Sequence, residues 1–281
     1  MDDLPRRSID DLVLRYELEP TLNDVYVEGY FDKEVLTACF QHAQDSSRIV
    51  YTIDSVDVPE VVLRKYKLTE GNKQRVIALA QELGEIGNLK CRFLVDKDID
   101  HWFEELVQSK GLMWTKYCSL ELYFFTEALL EKLIVSVSRC KIGEWKDFVL
   151  SFCNSLVMLY SARLADRELN LKLTWIDIDK SLSLKNGMLL LDFDSYVSKV
   201  LNKNSKMADM KIFRDKAEEW YKRCRDADYK MAIRGHDFVK VLAWVIKNGR
   251  GNSALGSEDA IERAFLLIAT SDLEIYSEIV S

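Results

Sequence analysis

Six carboxylates and one lysine stand out in the first part of the chain, because their order suits metal-assisted phosphodiester chemistry. Glu28 follows the apolar run Val25-Tyr26-Val27, and Asp32 comes shortly after it. Asp96, Asp98 and Asp100 alternate directly after Arg92-Phe93-Leu94-Val95, and Glu121 lies in the apolar stretch Ser119-Leu120-Glu121-Leu122. Carboxylates crowded together repel, and a cation or a shared proton relieves them. Oxygen donors with no His or Cys among them suit Mg²⁺, or Mn²⁺, rather than zinc. A metal held by a few carboxylates keeps positions open for water and phosphate. Lys73, at an expected helix start, is placed to meet a phosphate. As a surface lysine it would have no such role.

Each element also has a plainer reading. A Glu-Gly pair after a strand is common. Asp-x-Asp-x-Asp opens an EF-hand loop, but the sixth and twelfth positions here are His101 and Val107, not Gly and Glu. Asp100 is a candidate cap for a helix starting at His101, and Asp237 for one following Gly235. Glu121 is either a further metal ligand or half of an internal salt bridge. His236 either touches a phosphate or serves the fold.

These residues need strand ends to carry them. Residues 24–29, 48–54 and 92–96 read as strands, and 33–43 and 72–83 as helices. Strand and helix in alternation at this spacing predict βαβ units and a parallel sheet. Ligands of open α/β sheets sit at the carboxyl ends of the strands, where Glu28 and Asp96 fall. Beyond residue 120 the pattern turns helical, with helices expected over 122–137, 144–164, 206–226, 235–248, 257–270 and 272–280. Two short β runs within 172–194 flank Asn186-Gly187, a hairpin signal. The expected organisation is an α/β domain over 1–125 and a mostly helical extension with a small β-hairpin over 126–281.

Composition narrows the class. The 281 residues are 48% hydrophobic and 30% charged, with only 3 prolines, which is ordinary for a globular chain. No apolar run reaches the length of a membrane span. The charged start MDDLPRRSIDDL lacks the apolar core of a signal peptide, so a cytoplasmic protein without membrane contact is expected. The 6 cysteines form no CxxC pair and read as reduced, buried thiols. The net charge of −7 is unevenly spread. Residues 199–250 hold 14 basic and 7 acidic side chains, which suits either a polyanion-binding surface or a solvated helical face. No GxSxG elbow occurs. The glycine-spaced Gly251-Asn252-Ser253-Ala254-Leu255-Gly256-Ser257 lacks a P-loop lysine, so ATP binding there is not expected. The aromatic run Leu122-Tyr123-Phe124-Phe125 reads as core or interface rather than a base-stacking platform.

Val25-Tyr26-Val27-Glu28-Gly29-Tyr30-Phe31-Asp32 followed by Leu94-Val95-Asp96-Lys97-Asp98 resembles the signature of TOPRIM domains, shared by topoisomerases, bacterial primases and OLD-family nucleases. The resemblance implies that Glu28 serves acid–base chemistry or binds metal and that Asp96 and Asp98 hold Mg²⁺. Glu70-Gly71-Asn72-Lys73, Cys118-Ser119-Leu120-Glu121-Leu122-Tyr123 and Arg234-Gly235-His236-Asp237-Phe238 are similar to later segments of a TOPRIM family found alone or beside ATPases. Leu122 stands where that family has Asn, and His236 where it has Lys. The resemblance spans roughly residues 20–245. It implies a catalytic set Glu28, Asp96, Asp98 and Lys73, metal ligands extended to Asp100 and Glu121, and substrate contacts at Asp32, Asn72 and His236. That family includes toxin subunits of PARIS-type anti-phage systems. The resemblance therefore further implies a Mg²⁺-dependent nuclease acting on RNA, tRNA in particular, held inactive by an AriA-like ABC-type ATPase and dimeric when released. The competing expectation is an idle acidic site in a subunit that docks on such an ATPase through apolar helix faces bearing Trp220, Tyr221, Trp244 and Val245. Nucleotidyl transfer, as in primases, ranks lower because no template-binding zinc module is evident.

Overall fold

The computed structural model describes residues 6–281; residues 1–5, the start of the charged N-terminal stretch, lie outside the described residues. The chain is α/β, with parallel strands flanked by helices and a helical region carrying an antiparallel hairpin. It forms two compact units: the chain up to Tyr123 together with Ala264–Ser281, and Phe124–Arg263.

In the first unit a short strand β1 (Arg7–Ser8) leads into α1 (Ile9–Leu18). The hydroxyl of Ser8 accepts from the backbone of Asp11, and the Asp11 carboxylate accepts from that of Ser8, a reciprocal cap. Then come β2 (Val25–Val27), α2 (Tyr30–His42), β3 (Val50–Thr52), β4 (Val56–Asp57), α3 (Glu60–Lys65), α4 (Asn72–Leu83), β5 (Arg92–Val95) and β6 (Leu112–Trp114). β1 pairs in parallel with β4. The main sheet is wholly parallel in the order β3-β2-β5-β6. Its central strand β2 is buried at every position, as a strand covered on both faces must be. Tyr26 and Phe93 stack at 5.6 Å and join one core with α1 and α4 residues. Val25, Val27 and Leu94 point the other way and are equally buried.

Helix α4 has the bounds the periodicity predicts, and strands were expected at β2, β3 and β5. α1, α3 and β6 were not foreseen. The sequence-based boundary near 125 falls at 123/124, but residues 264–281 join the first unit rather than the helical extension. The reason is burial: Ile275 and Ile279 of the C-terminal helix Glu274–Val280 are inaccessible, and Tyr276 packs edge-on to Phe40 of α2.

The second unit contains α5 (Glu127–Glu131), a π-helical turn (Lys132–Val137), α6 (Trp145–Leu169), β7 (Leu182–Lys185), β8 (Met188–Leu191), α7 (Phe193–Lys203), α8 (Met210–Arg225), α9 (Gly235–Asn248) and α10 (Glu258–Leu266) as far as Arg263. The single helix expected over 122–137 is instead broken, because the Thr126 hydroxyl caps a fresh start at α5. The hairpin is present, with positive φ at both Asn186 and Gly187 as a type I′ turn requires. α6 is long and apolar enough to cross a membrane, yet 67% of that stretch is buried in the fold. All six cysteines are free and buried. In the aromatic run, Leu122, Tyr123, Phe124 and Phe125 are all buried, which fits the core reading.

If Ala264–Ser281 is integral to the first unit, Ile275→Ala and Ile279→Ala each lower its stability by about 2–4 kcal/mol in urea denaturation, the usual cost of truncating a buried isoleucine. Losses near zero would mean that the C-terminal helix is dispensable to it.

Candidate functional site

The sheet order places a topological switch point between β2 and β5, since β3 lies on one side of β2 and β5 on the other. The carboxyl ends of these two strands are where an open α/β sheet binds ligands. Glu28 directly follows β2 and Asp96 directly follows β5, so the two acids expected from the sequence meet there. The Asp96 backbone N–H donates to Glu28 Oε1 at 2.9 Å, and the Leu120 N–H donates to Asp96 Oδ1 at 3.1 Å. Asp32 accepts from the Gly29 N–H at 3.0 Å and so fixes the start of α2 beside Glu28. Asn72 donates through Nδ2 to the Glu28 carbonyl at 2.9 Å, tying α4 to the end of β2.

Lys73 enters from the first turn of α4, which follows a turn at Gly71 (φ 138°). Its ammonium lies 2.5 Å from Asp98 Oδ2 and 2.9 Å from Asp100 Oδ2. Asp98 sits in left-handed backbone (φ 45°), held by its N–H donating to the Cys118 carbonyl at 2.7 Å. Asp100 opens a 3₁₀ turn, and its side chain goes to Lys73 rather than capping the following residues. Lys73 is thus not a free surface lysine. Burial pulls its pKa down, but Asp98 and Asp100 outweigh that, and the net shift is upward, so it stays charged.

The carboxylates on the other side of the site have lost water without gaining a full counter-charge. Burial pushes Glu28 up to about 8; the Asp96 N–H and Lys73 work against this, while Asp98 and Asp32 reinforce it. Asp96 is raised well above the ordinary range, first by burial and then by Glu28, Asp32, Glu121 and Asp98. Glu121 comes from a 3₁₀ turn (Leu120–Phe124), and its Oε2 is buried with no partner. It is therefore not half of an internal salt bridge through that oxygen.

The segment that brings Leu120 and Glu121 to Asp96 is held by the C-terminal helix. Glu274 receives Lys116 and, at 2.8 Å, the Tyr117 hydroxyl. Tyr123 donates to Glu278 at 2.7 Å. Nothing in sequence spacing signals this tether, because its two halves lie some 155 residues apart.

His236 and Asp237 belong to the second unit. Asp237 is buried and takes a bidentate pair from Arg163, both bonds at 2.9 Å, so it is an anchor of α9 rather than its cap. His236 is half exposed, with Nδ1 3.6 Å from Glu258. Much of the positive charge over 199–250 is already matched: Arg214 faces Asp194, Lys216 faces Glu168 and Glu219, Lys222 faces Glu218, and Lys240 faces Asp177. That favours a solvated helical face along α8. Trp220 and Val245, named above as docking residues, are buried in their own unit.

Hard oxygen donors, two of them desolvated, and an unpartnered Glu121 oxygen fit a divalent cation by donor chemistry. Among the described residues no group of three or more acids, histidines or cysteines is gathered into a metal-holding arrangement, and Asp98 and Asp100 are turned onto Lys73. Compared with known proteins, the chain matches no family model and no curated sequence.

A carboxyl whose folded pKa lies above its unfolded value takes up a proton on folding. In EDTA, the contribution of Glu28 to stability is therefore full below the ordinary glutamate range and is lost as pH rises toward about 8. Thermal melts across that window should show a smaller decline for Glu28→Gln than for wild type. Equal slopes would show that Glu28 is not the titrating group.

Proposed function

We propose that the first unit is a divalent-metal-dependent phosphodiester hydrolase with a TOPRIM-like site. The observation that carries this reading is the adjacency of Glu28 and Asp96 at the β2/β5 switch point, both deprived of water and short of counter-charge. Glu28 and Asp96, with Glu121 beside them and Asp98 once released from Lys73, would hold Mg²⁺ or Mn²⁺. Bound there, such an ion supplies an activated water and charge stabilisation at the leaving oxygen. Glu28 orients the attacking water from the end of β2. Lys73 presents an ammonium at the start of α4, where the first-turn N–H groups also favour a phosphate. Asn72 and Asp32 hold the two helix starts that frame the acids.

The TOPRIM resemblance extends this reading to a toxin effector of an anti-phage system that cleaves tRNA. It would be kept silent by an ABC-type ATPase subunit, dimeric when freed, and cytoplasmic. The competing reading, an idle site in an ATPase-docking subunit, draws on the hold of Lys73 on Asp98 and Asp100.

Purified protein incubated with total cellular RNA, and separately with plasmid DNA, tests the two. Discrete tRNA-sized fragments are expected with Mg²⁺ and not with EDTA. Glu28→Ala should slow their appearance by about 10²–10⁴-fold, the range of a lost acid–base group. Folded wild type that cuts neither polymer with Mg²⁺ would favour the docking subunit.

A further inference from the structure

A second feature lies in the helical unit and has no acids in it. The segment Val137-Ser138-Arg139 and the loop Arg250-Gly251-Asn252 enclose an open notch of about 420 Å³. Two backbone contacts clamp its two walls, and a third fixes the second wall on the end of α9. The Asn252 N–H donates to the Ser138 carbonyl at 2.7 Å, the Lys141 N–H to the Gly249 carbonyl at 2.7 Å, and the Gly251 N–H to the Ile246 carbonyl at 3.1 Å. Gly251 is required by this approach: a Cβ there would lie 2.6 Å from Cys140 Sγ and 2.8 Å from the Ile246 carbonyl oxygen.

Arg139 and Arg250 line the notch from opposite walls, and both side chains are exposed. Among the described residues neither guanidinium has a hydrogen bond, ion pair or ring contact. In the same unit Arg163, Arg214, Arg225, Arg234 and Arg263 each face a carboxylate. Both notch arginines also have left-handed backbone, φ 57° in each case. Non-glycine residues avoid that conformation, and it persists where the surrounding structure imposes it, often at ligand sites. The residue before Arg139 is Ser138. It lines the notch, and its hydroxyl is buried with no hydrogen-bond partner.

We propose that this notch is an oxyanion site that takes a backbone phosphate of a polynucleotide. Guanidinium forks are matched to phosphate geometry, and two of them across one notch can share a single phosphate or grip two neighbours. The openness of the notch suits a chain that continues past it rather than a trapped free ion. The polynucleotide, as opposed to another phosphate carrier, rests on the function proposed above. Of the basic segment 199–250 the notch uses only the last residue, Arg250, and it adds Arg139, which lies well outside that segment.

The full chain would be titrated, in EDTA so that no cleavage occurs, against a fluorescein-labelled single-stranded oligoribonucleotide at several salt concentrations. Arg139→Ala/Arg250→Ala should weaken binding about tenfold or more. It should also lower the slope of log K against log salt by about 0.7 for each phosphate released. Arg139→Lys/Arg250→Lys should keep the slope while losing part of the affinity. Both side chains are exposed, so the thermal melt serves as the folding control. Unchanged affinity and slope in the folded Ala variant would overturn the site. Binding of inorganic phosphate that depends on both arginines, with no arginine-dependent RNA binding, would overturn the polynucleotide as ligand. The nuclease reading fails separately. Glu28-dependent cleavage with an unaffected double variant leaves that reading standing and removes this one. Arginine-dependent RNA binding by a chain that never cleaves does the reverse.

Discussion

Two carboxyl groups brought side by side, with much of their water removed, set the terms for the first unit. Glu28 and Asp96 are joined through the Asp96 backbone N–H; burial raises the proton affinity of both, and the Glu28 carboxylate raises that of Asp96 further. Such a pair is tolerated only when something positive, or a proton, is near. The protein provides one ammonium, and Lys73 is already shared between Asp98 and Asp100. The site is therefore short of positive charge on the Glu28–Asp96 side, which is where a divalent ion would be most strongly favoured.

The rest of the unit can be understood as what holds that pair in register. β2 and β5 must be neighbours, and the stacked Tyr26 and Phe93 keep their strands together from one face. α4 must begin beside the end of β2, and Asn72 ties it there. The turn bearing Leu120 and Glu121 must stay over Asp96, and the C-terminal helix anchors both of its flanks through Glu274 and Glu278. At the opposite, amino end of the sheet lies a second buried polar cluster. Tyr16 donates to Asp24 at 2.8 Å and shares a hydrogen bond with Tyr26, and Arg15 closes on the same carboxylate at 3.2 Å. A nearby guanidinium and a phenol partner separate this buried acid from the two at the other end.

In the second unit, charge counted along the chain and charge available in space diverge. α8 carries many cations, but acids on its own face or on neighbouring elements meet them. Exposed pairs of that kind add little stability, yet they do remove the field a polyanion would feel. Arg139 and Arg250, which line the notch, sit on short connections in left-handed backbone, and both are exposed.

The sequence by itself determined the parallel α/β pattern, the bounds of α4 and α9, the Asn186-Gly187 turn and the candidate acids, because periodicity, turn chemistry and residue type are local properties. It also placed Glu28 and Asp96 at strand ends, from which their meeting followed once β2 and β5 proved adjacent. Only the tertiary structure decided that adjacency, the capture of Asp98 and Asp100 by Lys73, the return of 264–281 to the first unit, and the pairing that leaves Arg139 and Arg250 unmatched. Each of these joins residues far apart in the chain. Burial and charge neutralisation are set by which surfaces pack together, and no local pattern in the chain encodes that.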